Sequence, residues 1–305
     1  IIKEEKDQVA ALFHVNHNKL YQVFEQQLNY MDTAYKKCEV MLLDFGLNIE
    51  HTEIPEGFAA AQEISEFIDR NGPDALNFKA NLSWIRSTLN RGVFADRGSS
   101  QSVGATISAP GSDLEFYRLT YQGEKYFPLT NVFTLKLRTE LGFGGSFGDT
   151  PSLPFYEHFF AGGFGSIRGF ENSTLGPRST PPLDADGNPI IFNSFGRDGR
   201  YGQPFGGNFL LEFSAEVIFP LPFVEDNRQF RPAFFFDAGN VFNTESPSVS
   251  TNCFDFDTDE LRYAAGFGLS WLSGFGPLTF AISKPINTKF FDEEESFQFE
   301  LGKTF

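Results

Sequence analysis

Cysteine is nearly missing: Cys38 and Cys253 are the two in 305 residues, far apart and without metal-ligand spacing, which excludes a disulfide framework and a zinc cluster. Long apolar runs are missing too. A spanning helix needs roughly 18 or more apolar residues in a row, whereas the most apolar stretch, Val217 to Val224, is broken by Pro220 and Pro222. Helical membrane spans are thereby excluded. Basic residues are scarce, 24 Lys and Arg against 40 Asp and Glu for a net charge of -16, so the basic face that nucleic acid requires is not there. No nucleic-acid partner is expected. The four histidines, His14, His17, His51 and His158, stand in no spacing with Ser and Asp that suggests a triad, so neither an enzyme nor a cofactor is expected. Asp184 to Asn188 echoes a calcium loop but lacks the rest of that motif and reads as a turn. The opening Ile1-Ile2-Lys3-Glu4-Glu5-Lys6 has no apolar segment followed by a small-residue cleavage site, so either a signal has been removed or the chain is a piece of something longer.

Phenylalanine is abundant, 39 residues of it, while mean hydropathy stays slightly polar at -0.24. Aromatic and polar residues are therefore interleaved, and the interleaving has a period of two. From Asn208 to Phe219, Phe209, Leu211, Phe213, Ala215 and Val217 share one face and Glu212, Ser214 and Glu216 the other, the alternation of a half-apolar strand. Val132 to Phe143 and Arg262 to Trp271 repeat it. Further segments are Met41 to Ile49, Leu76 to Trp84, Ser102 to Ile107, Tyr117 to Tyr126, Phe230 to Ala238, Leu278 to Ile282 and Phe297 to Leu301. These make ten.

Ten amphipathic strands separated by Gly, Pro, Asn and Asp turns fit an all-β protein, a transmembrane antiparallel β-barrel with lipid outside and water inside. A soluble sandwich or lipocalin-like barrel also alternates, but it hides its apolar face in a narrow core. Here the opposite face carries Lys136, Arg138, Glu140, Glu212, Glu216, Arg231 and Asp237. Charges of both signs on several strands call for a hydrated lumen. Trp84, Tyr126, Phe127, Phe219, Phe223 and Trp271, near strand ends, are then expected to form interfacial girdles.

Two segments break the period. Phe58 to Arg70 has Ile64, Phe67 and Ile68 at helical spacing between Pro55 and Asn71-Gly72-Pro73, which predicts a short helix in a loop. Residues 1–40 mix weak helical and strand patterns and stay unassigned; 41–305 read as the barrel. Within it, residues 148–207 form a connection far above hairpin length, and such loops are functional or disordered. Gly162, Gly163 and Gly165 permit it to fold compactly and to present Ile167-Arg168-Gly169-Phe170 at a tip.

That tip, preceded by its Gly-Gly pair, resembles the lumen-inserted loop of the BamA family of outer-membrane insertases. Other stretches agree in order along the chain: Leu89-Asn90-Arg91-Gly92-Val93-Phe94 with Arg97-Gly98, Ala109 to Asp113, Phe235 to Phe242, Trp271 to Leu278, and the terminal Phe297 to Phe305. Gly176-Pro177 after the tip favours this branch over its translocation-assembly and two-partner-secretion relatives, which stay open as alternatives, as does a passive outer-membrane channel. The resemblance implies a barrel of sixteen strands preceded by periplasmic repeat domains, of which this chain would hold the C-terminal part. It implies a place in the bacterial outer membrane and assembly of other β-barrels without chemistry. Unfolded barrel substrates, outer-membrane lipids and accessory lipoproteins would be its partners.

The resemblance also implies that Arg168 sits inside the barrel against acidic wall residues. Alternation places Glu216 and Asp237 on the lumen face, with Glu212 a lesser partner. In the last strand Phe297, Phe299, Leu301 and Phe305 share one face and Gln298, Glu300, Gly302 and Thr304 the other. The family implies that this strand is a recognition signal and half of a seam with the first strand. Gly302 fits poor pairing there, which leaves an edge able to template an incoming strand.

Overall fold

The computed structural model describes residues 39–54, 61–191, 202–221, 229–245, 250, 253–274 and 276–301. His14, His17, Cys38, Pro55, Phe58, Phe223, Gly302, Thr304 and Phe305 lie outside them, as does nearly all of the unassigned segment 1–40.

Alternation becomes one antiparallel sheet. Its strands are β1 (Val40–Glu53), β2 (Asp74–Ser87), β3 (Gly98–Ser108), β4 (Phe116–Pro128) and β5 (Thr134–Ser146), then, beyond the long loop and its short β6 (Gly169–Phe170), β7 (Phe209–Ile218), β8 (Phe230–Phe242), β9 (Arg262–Ser273) and β10 (Gly276–Ile286). After β11 (Glu294–Glu295) comes β12 (Phe297–Leu301), and the sheet order is β1-β2-β3-β4-β5-β7-β8-β9-β10-β12. Every neighbour in that order is antiparallel. Several strands outrun the alternating segments, β10 by the most, because a backbone ladder continues where the side-chain pattern lapses into Gly276-Pro277 and Lys284-Pro285.

The faces are inverted relative to a soluble protein. Met41, Leu43, Phe45, Leu47 and Ile49 of β1 are all exposed, as are Phe213, Phe234, Ile282, Phe297, Phe299 and Leu301, while Asn77, Lys79, Lys136, Glu216, Asp237 and Arg262 are buried. Apolar area left in contact with the surroundings on strand after strand is stable where those surroundings are hydrocarbon. One expected girdle residue falls on the other side: Tyr126 is buried on the lumen face, its ring 5.1 Å from the Arg231 guanidinium and 5.7 Å from Lys136 Nζ. It shares strand parity with Arg118, Gln122 and Glu124, and parity outranks nearness to a strand end.

Connections at one end of the sheet run no longer than 219–229, between β7 and β8; the other end carries the three longest, 54–73, 147–208 and 243–261. The first long one contains helix α1 (Gln62–Asn71), which starts later than the spacing from Phe58 suggests and ends where Gly72, at φ 83°, turns its N–H back to the Ile68 carbonyl at 2.8 Å. The apolar core lies inside the barrel wall. Ile167, Phe170 and Leu175 from the long loop pack with Phe159, Ala161, Leu210 and Val241 and with Ala264 of β9, all buried. Loop and wall thus share this core, and a second cluster joins Ala75, Leu114 and Phe116 to Leu153 of the loop.

Candidate functional site

The long loop folds on itself before it meets the wall. Phe159 and Gly207 exchange backbone hydrogen bonds at 2.7 and 3.0 Å, and Leu175 N–H donates to Ala161 O at 3.0 Å. Inside that frame Gly163 N–H donates to Ile167 O at 3.2 Å and Gly162 N–H to Ser166 Oγ at 2.8 Å. The turn so closed ends on Arg168. Gly169 follows at φ 92°, where a Cβ would stand 3.2 to 3.4 Å from Ser283, Pro285 and Ala264. A left-handed backbone pressed against the β9–β10 wall is a place for glycine.

Arg168 is 3% exposed and reaches two strands. Its Nε and Nη2 donate to Asp237 Oδ2 at 2.7 Å and Oδ1 at 2.8 Å, a bidentate fork. Its backbone N–H adds a third bond to Asp237 at 3.1 Å, and Nη2 also donates to Ser214 Oγ at 3.1 Å. Ser214 in turn donates to Asp237 Oδ1 at 2.7 Å, and Arg168 Nη1 lies 2.9 Å from Glu216 Oε1. The Phe235 ring carries the guanidinium on its face, 3.5 Å from the ring centre. Charge-assisted bidentate bonds between buried groups are stronger than the exposed pairs worth about 0 to 1 kcal/mol. Two buried carboxylates facing one guanidinium also mean that removing Arg168 leaves both without it.

Arg168, Glu216 and Asp237, expected together, are therefore brought together. Glu212 belongs to the next layer: it accepts from Ser166 Oγ and lies 3.7 Å from Arg138, whose guanidinium donates to the carbonyls of Gly165 at 2.6 Å and Ser166 at 2.9 Å. Sequence reasoning missed Ser214 and Phe235 as partners of Arg168, although both share the lumen parity of Glu216 and Asp237. It also missed a second anchor of the loop. There Lys79 Nζ donates to Glu157 Oε1 at 2.5 Å and Glu50 Oε1 at 2.8 Å, and Arg118 to Glu157 Oε2 at 3.1 Å.

Of the terminal residues, Phe297, Phe299 and Leu301 point outward from β12, and five residue pairs join that strand to β10. Gly302 and Phe305 fall outside the described residues. Among the described residues no group of His, Cys, Asp and Glu is arranged to hold a metal ion.

A wall greasy outside and charged inside, with a long loop locked onto its inner face by a buried arginine, defines a transmembrane β-barrel of the outer-membrane kind, with a lumen-inserted loop. The model of the Omp85 superfamily domain matches residues 8–305, and the chain belongs to that superfamily. BamA of Neisseria meningitidis, an outer membrane protein assembly factor, is 34% identical over 288 residues, 86% of this chain and 34% of that protein. BamA of Neorickettsia risticii is 25% identical over 91% of this chain and 34% of its own length. The crystal structure of BamA from Haemophilus ducreyi lacking POTRA domains 1-3 matches with a TM-score of 0.73 at 28% identity, over 86% of this chain and 50% of that one. The chain thus spans about a third of the length of the curated relatives it matches. Its place is the bacterial outer membrane.

Proposed function

We propose that this chain is the barrel portion of an assembly factor that folds and inserts β-barrel proteins into the bacterial outer membrane. The observation that carries the reading is the Arg168 tip seated on Asp237 and Glu216, in a chain similar along most of its length to proteins named as assembly factors. Residues 41–305 supply the barrel and 148–207 the lumen loop; Ile167 and Phe170 bury the tip, Gly169 lets it approach the wall, and Arg168 fixes it.

No covalent intermediate or nucleotide is needed. The barrel perturbs the membrane lipids around it and offers a strand edge to an unfolded substrate. It releases the substrate once that chain has closed on itself. The terminal strand β12 pairs with β10 on one side, and its other edge is the one that can be offered to an incoming strand. Accessory lipoproteins complete the assembly machine.

The test is complementation of a strain depleted of its own assembly factor by the full-length parent of this chain. Arg168→Ala and Asp237→Ala are each expected to impair outer-membrane protein assembly, since a buried pair broken on one side costs about 3 to 5 kcal/mol. A parent that does not complement, or variants that assemble substrates normally, would favour a passive channel instead.

A further inference from the structure

The tip is held on two sides, and the second side is the C-terminal segment. Gln298 is the second residue of β12, its side chain turned into the lumen, 4% exposed, between the outward Phe297 and Phe299. Its Oε1 accepts the Gly169 N–H at 3.2 Å and its Nε2 donates to the Phe170 carbonyl at 2.7 Å. One side-chain amide therefore pairs with the tip as a neighbouring strand would, with a donor and an acceptor in the right order. Nε2 also reaches Glu295 Oε2 at 3.2 Å.

The residues just before it do the same with backbone. Phe170 pairs with Glu294 and Gly169 with Glu295, and Glu171 N–H donates to Glu293 O at 2.8 Å. Arg178 donates to Phe291 O at 2.6 Å and lies 3.3 Å from Glu293. In the sheet order β7-β8-β9-β10-β12, the tip thus bridges the wall: Arg168 holds β7 and β8, Gly169 rests on β9 and β10, and Gln298 joins it to β12.

We propose that Gln298 is the positioning residue through which the lumen loop controls the terminal strand. With the tip seated on Asp237, the Gln298 amide holds β12 to the wall; with the tip lifted, β12 is retained by its ladder to β10. The consequence rests on the assembly reading, because holding or freeing the terminal strand sets whether its edge is open to an incoming one.

Site-resolved hydrogen exchange of the full-length protein in lipid nanodiscs tests the coupling, and it needs no substrate. Gln298→Ala is expected to speed exchange of the β12 amides and of Gly169 at least about tenfold, the scale of losing buried hydrogen bonds. Asp237→Asn, at a side chain that faces Arg168 and Ser214, is expected to speed β12 exchange as well. In the Gln298→Ala background the same Asp237→Asn change is expected to alter β12 by less than half as much as in the unaltered protein, since only the pairing of 293–295 then joins tip and strand. Additive effects, or β12 amides indifferent to both substitutions, would overturn the proposal. Should the variants not fold, the unaltered protein decides: the Gly169 and β12 amides open with one common protection factor, and a difference above about tenfold refutes the coupling. The assembly reading fails separately, when β12 exchange responds as expected but Asp237→Ala assembles substrates normally.

Discussion

Arg168 does four things that a lysine does not. It forks onto both oxygens of Asp237, reaches Ser214, meets Glu216 with its remaining nitrogen, and lies flat on Phe235. An ammonium keeps the charge but has neither the fork nor the plane. Arg168→Lys is therefore expected to lower the assembly rate of a reporter barrel at least about tenfold, from roughly 1.5 to 3 kcal/mol of lost charge-assisted bonding; rates like those of the unaltered protein would show that charge alone suffices. His158 is the residue-scale case where pH enters. Its Nδ1–H donates to the Phe205 carbonyl at 3.0 Å, its ring stands edge-on to Phe205, and burial holds its pKa below the ordinary 6.5. As pH falls through 6.5 the unfolded chain takes up a proton that the folded site refuses, so this group's stabilisation is present above 6.5 and is lost below it. His158→Gln is expected to flatten the fall in loop stability between pH 7 and pH 5, followed by denaturant titration at each pH. An unchanged slope would place the pH dependence on other groups.

At the scale of elements, α1 is a fastener for the loop. Glu63, in its first turn and 3% exposed, accepts from Thr180 N–H through both carboxylate oxygens at 2.9 Å, from the Thr180 hydroxyl at 2.7 Å and from Ser250 at 2.9 Å. Gln62 adds a bond to Pro181 O at 2.8 Å. Glu63→Ala leaves two buried donors of Thr180 without this acceptor, at about 1 to 3 kcal/mol. Trypsin cleavage after the buried Arg178 is expected to quicken about tenfold or more, because cutting there follows local opening; cleavage at the original rate would mean that α1 rests on the loop without holding it. The ten strands of the sheet were legible because a period of two survives in segments such as Phe209 to Val217, and the same parity put Glu216 and Asp237 in the lumen. Pairings that bring distant segments together left no such mark. β6 and β11 are two residues each, too short to show a period, and parity turned Gln298 inward without saying that it would meet Gly169. Phe235 reads as one more phenylalanine until Arg168 is placed over it, although an aromatic on the face of Asp237 was a usable sign. Tyr126 went astray for the reverse reason, its place near a strand end having been weighed above its parity.

For the whole molecule, the decisive property is what the outer face touches. Phe213 stands near the middle of β7, pairs with Thr139 of β5 and Ala238 of β8, and is 40% exposed. Its neighbour Ser214 points the other way, into the bonds around Asp237. On a protein surrounded by water, an arginine at an exposed position away from caps and buried networks changes stability by about half a kcal/mol or less. In a bilayer the same arginine sits in hydrocarbon, and near the midplane it costs about 2 to 4 kcal/mol. Phe213→Arg, measured by guanidinium titration of the full-length protein folded into phosphatidylcholine vesicles, is expected to show the larger loss. Phe213→Leu, which keeps the face apolar, is expected to stay under about 1.5 kcal/mol. The two substitutions separate lipid contact from packing: a large cost for both would mark Phe213 as a core residue, and a small cost for both would show that this face of the sheet lies outside the hydrocarbon. A large cost for arginine alone is the result that the inverted burial of the strands requires.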